Sequence, residues 1–524
     1  MSAAGIVDAR RHGGASVACD VCVIGSGAAG VSAALRLQER GLTVCVLEAG
    51  GTEADGATTA LGDVECADLP IGPESRNRWF GGSTNTWWGK VAPLDPIDLS
   101  VRPWLPLSGW PLGAAELARY CTEACALMGL PDVAAMDATI EPAGVLLDGG
   151  RLRTKPFYWA RRAVNFADVY RRAARPGRST VYLHAVVTRI DLDAAHVAVE
   201  RVHAATLDGA RLEVRPRAVV LACGGIENPR LLLASSEQRP AGLGNDHDQV
   251  GRYFMEHPKG PGGAVRVTAE AAALAPPYWF GRPRAGVRVR YGVSLAEPWQ
   301  ERLEALNCYV LLDPAFTSAG VLALRRVRAG KLRGVAALRA LAGAGRDAGE
   351  LVALARVRVT NRGRLPGVRI QNFVEQPPLA SNRVELGTER DALGVPRARL
   401  RWSVSEEERR SLAALHHALA DELAGRGIGT LDSPLLAGDG AAPWQPTRDA
   451  SHHMGTTRMG VDPRTSVVDA DTRVHGVANL YVAGSSVFPT GGCANPTLTI
   501  VALALRTADA VARSLRPMTL RRPH

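Results

Sequence analysis

The sequence predicts an α/β protein, α+β overall: a Rossmann-like nucleotide-binding domain in two halves, interrupted by an inserted domain built on an antiparallel sheet with helices. Three observations predict it. A glycine-rich turn lies between an apolar run and a small-residue helix near the start; residues from about 260 to 440 turn to β-like alternation mixed with Ala/Arg-rich stretches; and the residues after 445 return to the first style. At 524 residues the chain exceeds one ordinary core, so two interleaved domains are expected. The boundaries follow as 18–258 and 446–516 for the nucleotide domain and 259–445 for the insertion, with flexible termini at 1–17 and 517–524.

Asp20–Ile24 is short, apolar and Val-rich, the pattern of a buried parallel strand. Gly25-Ser26-Gly27-Ala28-Ala29-Gly30 follows at once, then helical spacing over Ala28–Arg40 (Ala29, Ala33, Leu35, Leu37) up to Gly41. Thr43–Leu47 is a second strand, closed by Glu48. Gly25, Gly27 and Gly30 thus fit G-x-G-x-x-G inside a βαβ unit. The first glycine makes the turn, the second lets backbone approach a pyrophosphate, and the third lets the helix pack on the strand. The helix N-terminus offers free N–H groups to phosphate, and Glu48 accepts from ribose hydroxyls.

Arg78–Gly89 (RWFGGSTNTWWG) is a loop of glycines and aromatic planes suited to a flat ring. Val181–Leu192 alternates as one strand, and Arg217–Cys223 is another. Pro229 marks a helix start with Asn228 as its cap. His257, before Pro258, reads as a structural turn residue. In the insertion Val287–Val293, Val357–Val359 and Arg383–Leu386 read as strands. Val321–Gly345 reads as a basic helix with Leu324, Val327, Leu338 and Leu341 on one face, its arginines solvated. Ser405–Leu423 is a helix with Glu406, Glu407 and Glu408 in its first turn. Asn479–Ala483 then gives an apolar strand and Pro496–Ser514 a long apolar helix.

Composition narrows the function. The chain is 46% hydrophobic and 22% charged, as a globular protein is, and its net charge of +10 is spread as arginine. No Lys/Arg stripe is interleaved with aromatics, which excludes a nucleic-acid surface. Nine cysteines at irregular spacing argue against a disulfide framework, and Cys19-Asp20-Val21-Cys22 lies in an apolar strand, not a metal site. No Cys/His cluster has zinc spacing, so no metal is expected. With no leader-like start and no segment of membrane-spanning length, a cytoplasmic location is expected.

The chemistry concentrates near the end. Ser451-His452-His453-Met454-Gly455 offers an imidazole, a base that changes charge near neutral pH. Gly491-Gly492-Cys493-Ala494-Asn495-Pro496-Thr497 offers a carboxamide where a helix should begin. Asn495 reads either as that helix's cap or as an oxygen-orienting partner to His452.

These motifs, in this order, resemble the glucose–methanol–choline family of flavin oxidoreductases. The resemblance is carried by Gly25/Gly27/Gly30 with Glu48, Gly81-Gly82-Ser83-Thr84, Leu221–Leu232, His452-x-x-Gly455-Thr456-x-Arg458-Met459-Gly460, Asp471-x-Arg473-Val474-His475-Gly476 and Asn495-Pro496-Thr497. Asn-Pro-Thr-Leu-Thr, with Glu375-Gln376-Pro377 and Ser381–Val384 in the insertion, looks most like the pyranose oxidase and sugar dehydrogenase branch. The resemblance implies an FAD-dependent alcohol oxidoreductase that moves hydride from a C–OH carbon of a sugar, glycoside or polyol to flavin N5. His452 would be the base and Asn495 its oxygen-orienting partner, with the insertion over the substrate. FAD would be held by Gly25, Gly27, Ala28, Ala29 and Gly30; by Glu48 and Ala49; by Gly81, Gly82, Ser83, Asn85 and Thr86; by Val187 and Ala222; and by Gly484, Ser485, Asn495, Pro496 and Thr497. The helix from Pro496 would turn its positive end to the flavin ring. Two departures matter. Thr86 stands where pyranose oxidases carry the flavin-linking histidine, which implies noncovalent FAD. Gly484 stands where the family often has Asp, leaving that contact to backbone or Ser485.

The substrate is then a small alcohol or sugar, and the electron acceptor oxygen, a quinone or a carrier protein. The Ala/Arg-rich composition suits secondary metabolism, such as oxidation of a sugar on a glycosylated product. Two other classes remain open at this point. A redox-neutral lyase on the same scaffold would form product without reducing flavin. A non-catalytic flavoprotein binding a partner through Leu324–Leu341 would keep its function without His452.

Overall fold

The computed structural model describes residues 5–516 apart from 67, 69–70, 73–74, 134–146, 149, 161, 269–277, 279–281, 285, 317, 329–333, 336–337, 340–346, 361–366, 438–443 and 447–449. The expected flexible tail at 517–524, and Leu341 in the basic stretch, lie outside these residues.

Five strands, Ile6–Asp8, Ser179–Leu183, Val44–Leu47, Ala15–Ile24 and Arg211–Leu221, lie side by side in that order, all parallel. The long strand Arg211–Leu221 serves two partners on its other edge. Its first half pairs antiparallel with Val199–Ala205, which carries Val186–Leu192. Its last residues pair parallel with Leu480–Val482. The registers Ile24↔Leu47, Leu221↔Ile24 and Leu221↔Val482 align the carboxyl ends of four strands from both ends of the chain. Gly25, Glu48, Ala222 and Gly484 therefore emerge along one edge, where parallel sheets bind ligands. Helices Ala28–Glu39 and Thr497–Ser514 pack on each other, and the second buries Leu498, Val501, Leu503, Leu505 and Val511. Each such side chain contributes about 1.5–3 kcal/mol.

The second sheet is antiparallel, in the order Gly429–Asp432, Lys259–Val267, Val368–Val374, Cys308–Pro314, Val287–Leu295, Leu152–Ala160, Lys90–Val91. Helix Glu406–Gly425 covers one of its faces; a capping box between Ser405 and Glu408 fixes where that helix begins. Pleating sorts the side chains. Asn372 Oδ1 accepts from His416 Nε2 of the helix, and Cys308 reaches the Ser411 carbonyl, while Leu311, Gln371 and Phe373 point the other way, into a cavity.

Several expectations change. Residues 5–17 are not a flexible lead-in, while 1–4 lie outside the described residues: Ile6–Asp8 pairs with Val181–Leu183, and the strand expected at Asp20 already begins at Ala15. Polar residues in 15–20 hid it, because this stretch is only half-buried. Val181–Leu192 is two strands, broken where His184 takes φ 59°. Val357–Val359 lies in helix Ala348–Thr360, where strong helix formers upstream outweigh three alternating residues. In the basic stretch the helix spans Ala319–Arg328. Pro229 sits inside helix Gly224–Ala234, not at its start. The carbonyl of Gly225, which loses its helical donor to the proline, accepts instead from Thr456 Oγ1 at 2.6 Å. Finally, strands 90–91 and 152–160 belong to the second sheet, and Pro396–Arg401, the partner of Arg383–Arg390, pairs with Val64–Glu65, so boundaries at 258/259 and 445/446 cut across sheet membership.

Candidate active site

One cavity of about 1280 Å³ runs from the carboxyl edge of the parallel sheet to the inner face of the antiparallel sheet. Its walls at the first end fit a dinucleotide. The Gly25 turn has φ 99°, and a Cβ there would lie 2.6 Å from the Ala222 carbonyl. Gly27 caps the following helix with no side chain, and a Cβ on Gly82 would strike its Cα at 2.8 Å. Two bare backbones thus flank a helix N-terminus, a cradle that side chains would fill. Glu48 is buried and accepts from Ser26 and Gly50, which fixes its carboxylate at the cavity wall.

Of the residues expected to hold the cofactor, Gly25, Gly27, Ala28, Ala29, Glu48, Ala49, Gly82, Ser83, Thr86, Val187, Ala222, Gly484, Ser485, Asn495, Pro496 and Thr497 line this cavity. Gly30, Gly81 and Asn85 stand behind the wall. A Cβ on Gly30 would meet the Gly25 carbonyl at 1.9 Å, so this glycine seats the helix on the turn. Gly81 (φ 97°) donates to Ser26, and a Cβ there would press on Asn165. The Asn85 amide is spent on the Phe80 and Gly82 carbonyls and on Asn165. Ser485 donates its hydroxyl proton to the His453 carbonyl at 2.7 Å, which leaves it no proton for a phosphate. Arg76, Arg78 and Glu227, absent from the sequence expectations, also line this end, with both arginines paired to Glu227.

At the inner end His452 and Asn495 meet: Asn495 Nδ2 lies 3.2 Å from His452 Nε2. The two readings of Asn495 are thereby separated. Helix Thr497–Ser514 starts with no side-chain cap, and the amide goes to the imidazole. Its Oδ1 is buried and has no hydrogen-bond partner among the described residues.

A third residue completes the group, one that the sequence had assigned to a turn. His257 Nδ1 lies 2.8 Å from His452 Nδ1, the rings edge-on with centroids 4.9 Å apart. Reciprocal backbone bonds between Met255 and Met454 draw the two segments together. The Glu256 carboxylate, itself buried, accepts from the backbone N–H of His257, Ala450 and His452. Glu256-His257-Pro258 carries chemistry-bearing types beside one another, but nothing local announces a partner nearly two hundred residues away.

Burial pushes the His257 imidazole down to about 4. His452 is pushed well below 6.5, by burial first and then by His257, Lys259 and Lys90 nearby. The sequence expectation of a base titrating near neutrality is corrected accordingly: His452 is a neutral imidazole at neutral pH.

The loop bearing Asn495 rests on a buried ionic layer. Arg102 makes a bidentate pair with Glu375, both bonds 2.7 Å, and Glu375 also accepts from the Gly492 and Asn307 N–H groups. Lys155 and Arg153 pair with Asp95 next to it. Among the described residues no His/Cys/Asp/Glu group has metal-holding geometry.

Residues 20–242 match the model of FAD dependent oxidoreductases, which makes the chain an FAD-dependent oxidoreductase. Residues 378–504 match the model of the GMC oxidoreductases, so a GMC oxidoreductase C-terminal domain follows the FAD-dependent oxidoreductase domain in this chain. It is 28% identical to paromamine 6'-oxidase of Streptomyces fradiae over 95% of this chain and 92% of that one. It is 29% identical to the fructose dehydrogenase large subunit of Gluconobacter japonicus, over 57% of this chain and 47% of that protein. The fold is shared with pyridoxine 4-oxidase from Mesorbium loti at a TM-score of 0.54 and 20% identity, covering 94% and 99% of the two chains.

Proposed function

We propose that the chain oxidises a carbinol of a sugar, glycoside or polyol, with His452 taking the hydroxyl proton and Asn495 holding the oxygen. The observation that carries this reading is the 3.2 Å approach of Asn495 Nδ2 to His452 Nε2 at the inner end of the nucleotide cavity. The relatives named for sugars support the substrate class, as do the flat rings of Trp88, Trp159 and Phe373 on the wall.

The FAD supplies the hydride acceptor when bound. The protein's part is proton transfer and positioning. An alcohol oxygen between the two side chains accepts from Asn495 Nδ2 and donates to His452 Nε2. For Nε2 to accept, the neutral ring must carry its proton on Nδ1, and His257 Nδ1 is the acceptor placed to receive it. His257 thus sets tautomer and ring angle together. When Nε2 gains the alcohol proton, the imidazolium keeps that bond.

Anaerobic mixing of FAD-loaded protein with a sugar and polyol panel tests the reading. At least one member is expected to bleach the visible flavin band; no bleaching by any of them would refute the substrate class. Thr86 at the cavity wall supports noncovalent FAD, so acid precipitation is expected to release the flavin. The nine free thiols support a reducing, cytoplasmic setting. Among the described residues no helix is long and apolar enough to cross a membrane. Oxygen, a quinone or a carrier protein is the electron acceptor.

Two outcomes follow from the histidine pair. His257→Ala is expected to lower kcat by roughly 10–100-fold, the usual cost of losing a group that orients a functional imidazole, with flavin content unchanged. Because His452 must be neutral to act and its pKa is depressed, kcat/KM for a neutral sugar should stay level as pH falls through 6.5 and drop only well below it. An acid limb centred near 6.5 would show that burial does not govern this ring.

A further inference from the structure

The chain that leaves the antiparallel sheet at Pro314 and returns to it at Val368 carries an apolar surface that the fold does not cover. Its helices Ala319–Arg328 and Ala348–Thr360 touch each other, and Val321, Leu354 and Val357 are buried in the core. At about 3.6 residues per turn, Ala348, Val352, Ala355 and Val359 form a row on the opposite side of the second helix from Leu354 and Val357. All four are exposed, Val352 by 66% and Val359 by 81%. A helix that is apolar on both sides needs a second covering surface, and the described residues of this chain do not supply it. Of the twelve large hydrophobic residues exposed among the described residues, six lie in this segment: Leu322, Leu324, Val335, Leu338, Val352 and Val359. Single exposed apolar residues are ordinary on a protein surface; half of them gathered into one segment mark an interaction site.

Charge indicates what covers it. Arginine is spread along the chain, but its excess over acid is not. Of 62 Lys/Arg and 52 Asp/Glu, nine and two fall in residues 319–360, which leaves 53 against 50 elsewhere. Both acids turn to the neighbouring helix: Asp347 accepts from the Gly320 N–H at 2.7 Å and Glu350 from the Ser318 N–H at 3.0 Å. Arg339, next to Leu338, is exposed as Leu338 is. Residues 319–360 contain no Tyr, Trp, Phe, Met, Asn or Gln. The aromatic anchors and directional amides of a specific protein interface are thus missing. Aliphatic carbon interspersed with fixed positive charge suits the boundary of an anionic bilayer, where apolar side chains enter the acyl region and cations meet lipid phosphates.

We propose that residues 319–360 dock the protein on the surface of a bilayer containing anionic lipid, with Leu338, Val352 and Val359 entering the acyl boundary and the positive charge of the segment drawn to the headgroups. The contact is peripheral: the second helix, 13 residues long, lies along the surface. Docking does not depend on the oxidation chemistry.

Flotation of the FAD-loaded protein tests it, with vesicles of phosphatidylcholine alone and of equal parts phosphatidylcholine and phosphatidylglycerol. Binding to the mixed vesicles is expected to be at least ~10-fold tighter than to phosphatidylcholine and to weaken as salt is added. Val352→Gln combined with Val359→Gln should weaken binding to the mixed vesicles by at least ~10-fold. Flavin content, elution volume and flavin reduction rate should not change, because both side chains already face water. Val461→Gln, at a valine 83% exposed outside the segment, should leave binding as it is. Absence of flotation with either vesicle, equal binding to both, or binding that the double variant leaves intact overturns the proposal. A concentration-dependent dimer that the double variant abolishes, without vesicle binding, overturns it too and gives the row to a second copy of this chain.

Discussion

His452→Ala is expected to slow anaerobic flavin reduction by about 10²–10⁴-fold while leaving FAD bound at the level of the unmodified protein. The two halves of this outcome have separate causes. Rate is lost because the base is removed from the oxygen that Asn495 holds, and no other neutral imidazole reaches it: His257 touches only the far nitrogen of the ring, and the Ser485 hydroxyl binds the carbonyl of His453. Flavin is kept because the 450–452 backbone is fastened independently of that ring. Glu256 accepts from the N–H of Ala450 and His452, and Met454 is paired with Met255. The variant should therefore fold, bind and fail at proton transfer. Measured flavin absorbance per chain and single-turnover rate decide it: an unchanged rate would remove His452 from the chemistry, and loss of flavin would make its role structural.

The parts legible in sequence are those whose physics is local. The Gly25–Gly30 turn is readable because φ 99° and a 1.9 Å approach admit no Cβ, and both demands fall within one short stretch. The helices at Ala28, Glu406 and Thr497 are readable because apolar spacing, joined at Glu406 by the Ser405–Glu408 capping box, is a neighbour effect. The pairing of His452 with Asn495 came through the order of motifs. His257 was not legible as part of the site, because its role depends on the Met255–Met454 pairing, a tertiary event. Lys90, which lines the cavity, was hidden for the same reason: its four aromatic neighbours, Phe157, Trp159, Tyr309 and Phe373, come from three strands of a sheet that exists only after folding. Helix Gly224–Ala234 was misplaced at Pro229 because the donor that spares the proline's lost bond, Thr456, is remote in sequence.

Arg102→Ala is expected to cost about 3–5 kcal/mol of stability, the usual result of removing one member of a buried ion pair. Arg102 is 1% exposed and Glu375 fully buried, so the carboxylate would be left with only the Asn307 and Gly492 N–H groups. The effect should depend on pH with a definite sign. In the unmodified protein Arg102 and these N–H groups hold Glu375 below its ordinary value despite its burial. Its contribution is thus present above the unfolded carboxyl value of about 4.3 and lost as pH falls through the folded value. Without Arg102, burial dominates and the folded value moves above the unfolded one. Glu375 then prefers to be protonated, and stability is lost as pH rises. The deficit of Arg102→Ala should therefore be larger at about pH 8 than at about pH 5, read as the shift in urea midpoint at each pH. Arg102→Met with Glu375→Leu should recover much of the loss, since no charge is then stranded. A single variant as stable as the unmodified protein at pH 8 would mean that water reaches Glu375, and that the Gly492–Asn495 loop is not supported by a dry ionic layer.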